Sequence, residues 1–259
     1  MRFDVITIFP EMFEAITQYG VTSRAFSKDI CSLNTWNPRE FTSDPRKTVD
    51  DRAYGGGPGM VMMVAPLADT LHAIHHDISS DERSKKGPTV LMSPQGRVFN
   101  QELASELSQL QQLTFVCGRY EAVDQRFIDQ HVDFELSIGD YVVSGGELPA
   151  LVVMDGLIRL MPNVLGDANS AQQDSFSDGL LDCPHYTRPE NYKNILVPGV
   201  LLGGHHGRIE DWRRNESLIA TQKSRPDLIL SARSKGLLSK KDEKVLQDFL
   251  ATSSSWLNK

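Results

Sequence analysis

The chain has 259 residues, which allows one large domain or two modest ones. A hydrophobic content of 40% and a charged content of 24% are ordinary for a soluble globular protein, and no apolar run approaches the ~20 residues needed to span a bilayer. The three cysteines show no Cys-x-x-Cys spacing and the start lacks a signal peptide, which argues against a disulfide framework or a zinc site. We therefore expect a cytoplasmic protein without membrane segments.

The first part of the chain predicts strands that alternate with helices. Strands are expected at residues 3–9, 89–92, 113–117 and 134–137. Helices are expected at residues 10–16, 101–110, 122–130 and 148–160. Short apolar strands alternating with helices predict an α/β fold, with a parallel sheet covered on both faces.

The composition changes after Pro162. Residues 166–174 are polar and aperiodic, which is typical of a linker, and helices are expected at 208–220, 226–232 and 240–251. We therefore predict a first domain at 1–165, a flexible linker at 166–174 and a small, mostly α-helical domain at 175–259. The net charge of −7 argues weakly against nucleic-acid binding, but the last segment carries 13 Lys and Arg against 10 Asp and Glu. This segment would suit a polyanion if its charges form a patch, and is otherwise a solvated surface.

Polar, glycine-containing turns follow three of the predicted strands, at residues 93–96, 118–121 and 138–143. Ligands collect at the carboxyl ends of parallel strands. If the turns converge, they suit a neutral or cationic ligand with an adenine-like ring better than a triphosphate, because no P-loop is present. The run 137–147 contains three glycines, Gly139, Gly145 and Gly146. Taken alone it fits either a ligand-binding turn or a structural one.

Several motifs in order resemble bacterial tRNA (guanine-N1-)-methyltransferases of the TrmD family. The matching segments are residues 48–60, 93–96, 117–121, 137–150 and 174–189. The resemblance runs from Phe9 to about Arg214 and is specific, whereas residues 77–87 and the tail after Leu218 carry little of it. The glycine-rich residues 54–60, within the first segment, lack the lysine of a phosphate loop and are interpreted as a flexible loop over a substrate or as a turn.

The resemblance implies a knotted SPOUT methyltransferase domain, in which a trefoil knot holds S-adenosylmethionine. It also implies an obligate homodimer whose active site uses both subunits. The residues implied to bind the cofactor are those of the three turns: Ser93, Pro94, Gln95, Gly118, Tyr120, Glu121, Ile138, Gly139, Asp140, Tyr141, Val142, Val143, Gly145 and Gly146.

The implied reaction is methylation of guanine N1 at position 37 of tRNA, next to the anticodon. Guanine N1 bears a proton at neutral pH, so a base must remove that proton while a cationic group stabilises the charge on O6. By resemblance the base is Asp174 and the O6 partner is Arg159. From the residues alone, a helix N-cap before Ser175 is the preferred interpretation of Asp174. Arg159 could be a solvated residue favoured by the helix macrodipole.

The resemblance further implies that Asp182, His185 and Arg188 help to hold a flipped-out guanine of the tRNA. The alternative for this stretch is a turn around Pro184. Adjacent His205 and His206 lack a third metal ligand in sequence, so we predict no metal site there. The family's activity depends on magnesium, yet no ligand cluster in the sequence indicates where it binds. Two other functions stay open: a non-catalytic RNA- or nucleotide-binding dimer, and a ribose 2′-O-methyltransferase of the same fold class.

Overall fold

A five-stranded parallel sheet organises the first of the two units into which the computed structural model divides the chain, Met1–Gly166 and Asp167–Lys259. The structure describes residues 1–80, 85–166 and 173–254. Most of the predicted linker, residues 167–172, therefore lies outside the described residues.

The sheet has the strand order β2-β1-β6-β5-β8, and every neighbouring pair is parallel. Its strands are β1 (Arg2–Ile6), β2 (Ser32–Trp36), β5 (Thr89–Val98), β6 (Gln112–Cys117) and β8 (Phe134–Ser137). The predicted parallel sheet is confirmed. A second, three-stranded sheet comprises β3 (Asp50–Asp51), β4 (Val61–Met62) and β7 (Ala122–Val123).

Helices cover both faces of the sheet because alternate side chains of its strands point to opposite sides. Phe3 and Val5 of β1 belong to one apolar cluster, and Ile6 belongs to the other. Each fully buried Phe or Leu in these clusters stabilises the fold by about 1.5–3 kcal/mol. The helices of this unit are α1 (Glu14–Gln18), α2 (Ser23–Ser27), α3 (Val64–Ser80), α4 (Gln101–Leu107), α5 (Gln125–His131) and α6 (Glu147–Leu160), with 3₁₀ turns at Pro10–Phe13 and Pro38–Glu40.

Several predicted elements of this unit were wrong in extent: β1 ends at Ile6, residues 10–13 form a 3₁₀ turn before α1, and α4 ends at Leu107. Two further differences concern the site. Strand β5 does not end at Met92: it continues to Val98, and Met92 and Arg97 both face Leu136 of β8. The four residues between them bulge out of the strand, as expected where Pro94 removes a backbone donor. Residues 122–123 pair as strand β7, so the helix predicted from Ala122 begins only after Asp124, whose carboxylate accepts from Arg126 N at 2.9 Å.

Among its described residues, the second unit is built mainly from three helices, α7 (His206–Ser224), α8 (Pro226–Ser234) and α9 (Lys240–Ser254). A short hairpin, β9 (Asn191–Tyr192) and β10 (Ile195–Leu196), and a 3₁₀ turn at Gly199–Leu201 precede them. Its core is small and consists of Leu180, Leu218, Ile229, Ala232 and Leu246. In the described part of the chain, no helix is both long and apolar enough to cross a membrane.

Candidate active site

The three polar turns, one at the bulge within β5 and two at the carboxyl ends of β6 and β8, converge around a cavity of about 290 Å³. We call it the donor cavity after the ligand predicted for it. Thirteen of the fourteen residues predicted to bind the cofactor line it, and Asp140 does not. The lining members are Ser93, Pro94, Gln95, Gly118, Tyr120, Glu121, Ile138, Gly139, Tyr141, Val142, Val143, Gly145 and Gly146. The predicted convergence of the turns is therefore found, while their role in binding a cofactor stays a prediction.

A larger cavity of about 380 Å³ lies at the opposite end of the strands, where they begin. It is lined by Met1, Ile30 and Gln112 among others, and it gathers none of the predicted site residues. The larger cavity is therefore not the candidate site, because the predicted residues gather at the other one.

The donor cavity combines an apolar floor with peptide groups and carboxylates. Leu91, Leu136 and Pro149 supply apolar surface, and Glu121 and Glu135 supply the acids. Such a lining can hold a flat ring against aliphatic groups and can accept hydrogen bonds from ligand hydroxyls or attract a ligand cation. It lacks the lysine expected of a triphosphate site.

Glycines of the run 137–147 have packing reasons that involve no ligand. A Cβ on Gly146 would lie 2.6 Å from Cys117 Cα, and one on Gly145 would lie 2.2 Å from Arg119 Nε. Gly146 N also donates to Gly118 O at 2.9 Å. The third turn, which in the structure continues to Gly146, thus touches the second turn through its backbone, and only glycine permits this contact. Gly139 has φ +136°, a backbone conformation that residues with a side chain rarely adopt.

Tyr120 has an unfavourable backbone conformation, with φ +62°, inside the second turn. Its hydroxyl accepts a hydrogen bond from Arg39 Nη2 at 3.4 Å. Partial burial and a hydrogen bond with Asp50 raise the pKa of Tyr120, so this side chain stays neutral at physiological pH. The turn is thereby tied to β3 and to the 3₁₀ turn at Pro38–Glu40.

Sequence reasoning missed two charged residues beside the cavity, Arg119 and Glu147. Arg119 Nε donates to Glu147 Oε2 at 2.7 Å, and the Glu147 side chain is fully buried. Burial, and secondarily the Glu147 carboxylate, raise the pKa of the neighbouring Cys117 thiol well above its ordinary value, which excludes a thiolate nucleophile there. A buried acid could have been suspected at Glu147 only from its position between Gly146 and an apolar helix.

The glycine-rich loop lies next to the donor cavity. Gly55, Gly56, Gly57 and Gly59 all have positive φ. A Cβ on Gly59 would lie 2.3 Å from Cγ of Glu121, and Glu121 N donates to Met60 O at 3.0 Å. The loop therefore contacts the second turn, but both earlier interpretations, a substrate cover and a simple turn, stay predictions.

The predicted tRNA-contacting residues lie on an irregular segment of the second unit, which we call the 182–188 loop. His185 Nε2 lies 2.8 Å from Asp182 Oδ2, and Cys183 N donates to Asp182 Oδ1 at 2.7 Å. Burial tends to raise the pKa of Asp182, but hydrogen bonds from His185 and from the Cys183 backbone outweigh it and lower that pKa. Arg188 is exposed on the same loop.

Asp182, Cys183 and His185 place their potential ligand atoms within 4.8 Å of one another. Among the described residues this is the one group with metal-like spacing, and the Asp182–His185 hydrogen bond already accounts for it. His205 and His206 are not part of such a group in the described chain. His205 Nδ1 instead lies 2.7 Å from Gly203 O.

The two predicted catalytic residues belong to different units. Residues 175–178 form turns, so Asp174 does not cap a helix beginning at Ser175, and that alternative was wrong. Arg159 lies half-buried in the last turn of α6, where the helix macrodipole also favours a cation. Their pairing across one active site stays a prediction.

Comparison with known proteins assigns the family. A family model described as tRNA (Guanine-1)-methyltransferase TrmD matches residues 1–231. The chain is 60% identical over 249 residues to the tRNA (guanine-N(1)-)-methyltransferase of Polynucleobacter asymbioticus, covering 95% of this chain and 99% of that protein. It is 57% identical over 251 residues to the enzyme of the same name from Cupriavidus metallidurans, covering 97% of this chain and 96% of that protein.

Proposed function

Since the chain belongs to the TrmD family of tRNA (guanine-1) methyltransferases, we propose that it methylates guanine N1 at position 37 of tRNA with S-adenosylmethionine as methyl donor. The observation that carries the proposal is the convergence of three separate turns on one cavity.

The donor cavity fits S-adenosylmethionine by the chemistry of its lining. The apolar floor suits the adenine ring, the carboxylates of Glu121 and Glu135 suit ribose hydroxyls or the donor's cationic groups, and the turns bring backbone groups close. When bound, this cofactor supplies a methyl group activated by a sulfonium. We assign its binding to the three turns. Asp140 does not line the cavity, so its predicted role in binding requires its side chain to turn toward the bound ligand.

We propose that the turns are parts of a trefoil knot. The run 137–147 passes so close to β6 that Gly146 packs on the backbone of Cys117. Strand β5 lies between β6 and β8, so chain segments that are distant in sequence lie side by side here. Both features support a threaded arrangement, which is otherwise almost absent from proteins.

Asp174 acts as the general base in this proposal, and Arg159 stabilises the developing charge. Removal of the N1 proton by the Asp174 carboxylate makes the N1 lone pair available as the N–C bond forms, and the guanidinium of Arg159 offsets the charge that builds on O6. Both groups are accessible enough to serve, since each side chain is only half-buried.

The tRNA is assigned to the second unit and to a second subunit. Asp182, His185 and Arg188 hold the extruded guanine, and the excess of basic over acidic residues from position 175 onward suits the phosphate backbone. We propose a homodimer with active sites formed by both subunits, and a cytoplasmic location, where three unpaired cysteines are stable.

Magnesium enters this proposal only as a requirement of the family. The candidate ligand group in the described residues includes the Cys183 thiol, which magnesium disfavours relative to oxygen ligands. The described residues therefore do not fit a dedicated magnesium site, and we derive no step through the ion.

A methyl-transfer assay on tRNA transcripts tests the proposal. Transcripts with guanine at position 37, with and without a guanine immediately 5′ to it, are incubated with radiolabelled S-adenosylmethionine, and the modified atom is mapped. We expect N1-methylguanine at position 37, and no product on a transcript with adenine there. A 2′-O-methyl product would support the ribose-methylating alternative, and binding of tRNA and cofactor without any product would support a non-catalytic binder.

A further inference from the structure

Two walls of the donor cavity are joined by one buried ion pair. Arg119, in the second turn, donates from Nε to Oε2 of Glu147 at 2.7 Å. Glu147 opens helix α6, directly after the third turn. The Glu147 side chain is 0% exposed and that of Arg119 is 17% exposed, so both charges are largely removed from water.

The Glu147 carboxylate has a second partner on a third element. Thr7 Oγ1, just after β1, donates to Glu147 Oε1 at 2.8 Å. The same hydroxyl accepts from Phe9 N at 3.0 Å, which orients its proton toward the carboxylate. Each carboxylate oxygen thus has a directed donor, which a buried charge requires.

The Arg119 guanidinium also contacts the third turn and the ring of Phe9. Its Nη1 donates to Ser144 O of the third turn at 3.2 Å, and its Cζ lies 4.5 Å from the ring centroid of Phe9. Gly145 leaves the space that the guanidinium stem occupies. The third turn is therefore shaped around this arginine.

A buried ion pair is a poor choice for stability alone. Removing two charges from water costs about as much as their attraction returns, and well-packed apolar residues of similar size are often more stable. What the pair supplies that an apolar pair cannot is directional contact to three elements at once. Its position beside the cavity therefore indicates a geometric role.

We propose that Arg119 and Glu147 are positioning residues that set the separation of the second and third turns and thereby the affinity for the methyl donor. The inference rests on the proposed function, because it assumes that the donor cavity binds S-adenosylmethionine. The pair does not itself remove a proton or contact the target guanine in this proposal.

Calorimetric titration of the full-length protein with S-adenosylmethionine tests the inference. E147Q keeps the size of the side chain and removes its charge, and R119K keeps the charge but loses the planar guanidinium. We expect the dissociation constant to rise about tenfold or more in E147Q and less in R119K, because small displacements of binding groups have large effects. Transfer-RNA affinity should be unchanged in both.

Two control variants separate positioning from general destabilisation. R126A breaks the exposed Arg126–Asp124 ion pair of the same unit, which lies 2.6 Å apart. I78A removes a buried side chain of α3 and creates a cavity. The site lies near the end of the sheet where the strands begin, because the neighbouring Asp77 pairs with Arg2 at the start of β1. Neither should change donor affinity, although I78A should lower the melting temperature.

The double variant R119M/E147M distinguishes a positioning role from a structural one. An apolar pair should recover thermal stability relative to E147Q, because no buried charge is left unpaired. Donor affinity should remain weak if the directed contacts matter. Recovery of affinity together with stability would overturn the inference, as would wild-type affinity in E147Q. Wild-type protein that binds no S-adenosylmethionine would instead overturn the proposed function.

Discussion

The donor cavity and the 182–188 loop hold their polar groups in opposite ways. Around the cavity, Thr7 and Glu147 are hydrogen-bonded although 140 positions separate them, and the carboxylate is fully buried. In the loop, Asp182 and His185 are three positions apart and their side chains are 32% and 71% exposed. The first region depends on the tertiary fold for its geometry, whereas the second keeps its geometry through neighbours in sequence.

This difference suits two kinds of ligand. A small donor is recognised best by a preformed cavity, because little binding energy is then lost to ordering the protein. A flipped nucleotide must be admitted from a large partner, for which an exposed, locally organised segment is adequate. The predictions below test this contrast, beginning with the largest expected effect.

Asp174→Ala should abolish methyl transfer while leaving the donor cavity functional. Loss of a general base lowers a rate by about 10²- to 10⁴-fold. Single-turnover assays measure the rate, and calorimetry should show unchanged affinity for S-adenosylmethionine. D227N, which alters an exposed acid of the same unit, is the control and should keep its activity. Full activity in D174A would remove Asp174 from the mechanism.

Leu246→Ala should destabilise the second unit without weakening the donor cavity. Leu246 is fully buried in the small helical core, and truncation of such a residue costs about 2–5 kcal/mol. Urea denaturation followed by circular dichroism measures the loss. L250A, on the exposed side of the same helix, is the control and should cost less than about 0.5 kcal/mol. Equal loss of donor affinity in L246A would show that the two units are not energetically separable.

Gly139→Val should weaken donor binding before it affects tRNA binding. The backbone at Gly139 has φ +136°, and a Cβ there would lie 2.9 Å from Tyr141 Cε1. We expect a loss of about tenfold or more in donor affinity, measured by calorimetry, since the third turn must shift. G20V is the matched control, because Gly20 also has positive φ but no atom lies within 4 Å of its Cβ position. Unchanged donor affinity in G139V would refute the role of this turn.

Acid should weaken the second unit through Asp242. Burial tends to raise the pKa of Asp242, but hydrogen bonds from Arg214 and from Ser239 outweigh it and lower that pKa. A carboxylate whose pKa is lowered by folding stabilises above its unfolded pKa of about 3.9, and that contribution disappears as pH falls through the folded value.

The variant D242N tests this pH dependence. At pH 7 it should lose about 1–3 kcal/mol of the free energy of unfolding, as is typical of hydrogen bonds to a buried charged group. The difference from wild type should shrink towards pH 2, where the Asp242 carboxyl of the wild type becomes protonated and is then uncharged, like the amide of the variant. D248N, an exposed acid of the same helix, should show no difference at either pH. A D242N deficit that persists in acid would attribute the effect to packing.

Local sequence patterns predicted four of the five strands of the parallel sheet and all three cavity turns, but they predicted neither strand β2 nor helix α3. Strand β8 was predicted with the bounds that it has, Phe134–Ser137, and helix α6 was predicted to within one residue at its start. These elements follow from apolar periodicity and from glycine and proline positions, which act over a few residues. The family motifs, which are also local, identified the candidate residues of the turns.

Contacts between distant segments were decided by the tertiary structure. The bulge in β5 depends on Leu136 facing both Met92 and Arg97, and Gly145 and Gly146 are required by Arg119 and Cys117 rather than by a ligand alone. No periodicity records that Thr7, Arg119 and Glu147 meet. The sequence by itself therefore determined where the three cavity turns lie along the chain and which family the chain belongs to. Only the folded chain decided how they are held together, because a buried charge can be satisfied solely by donors that the fold brings to it.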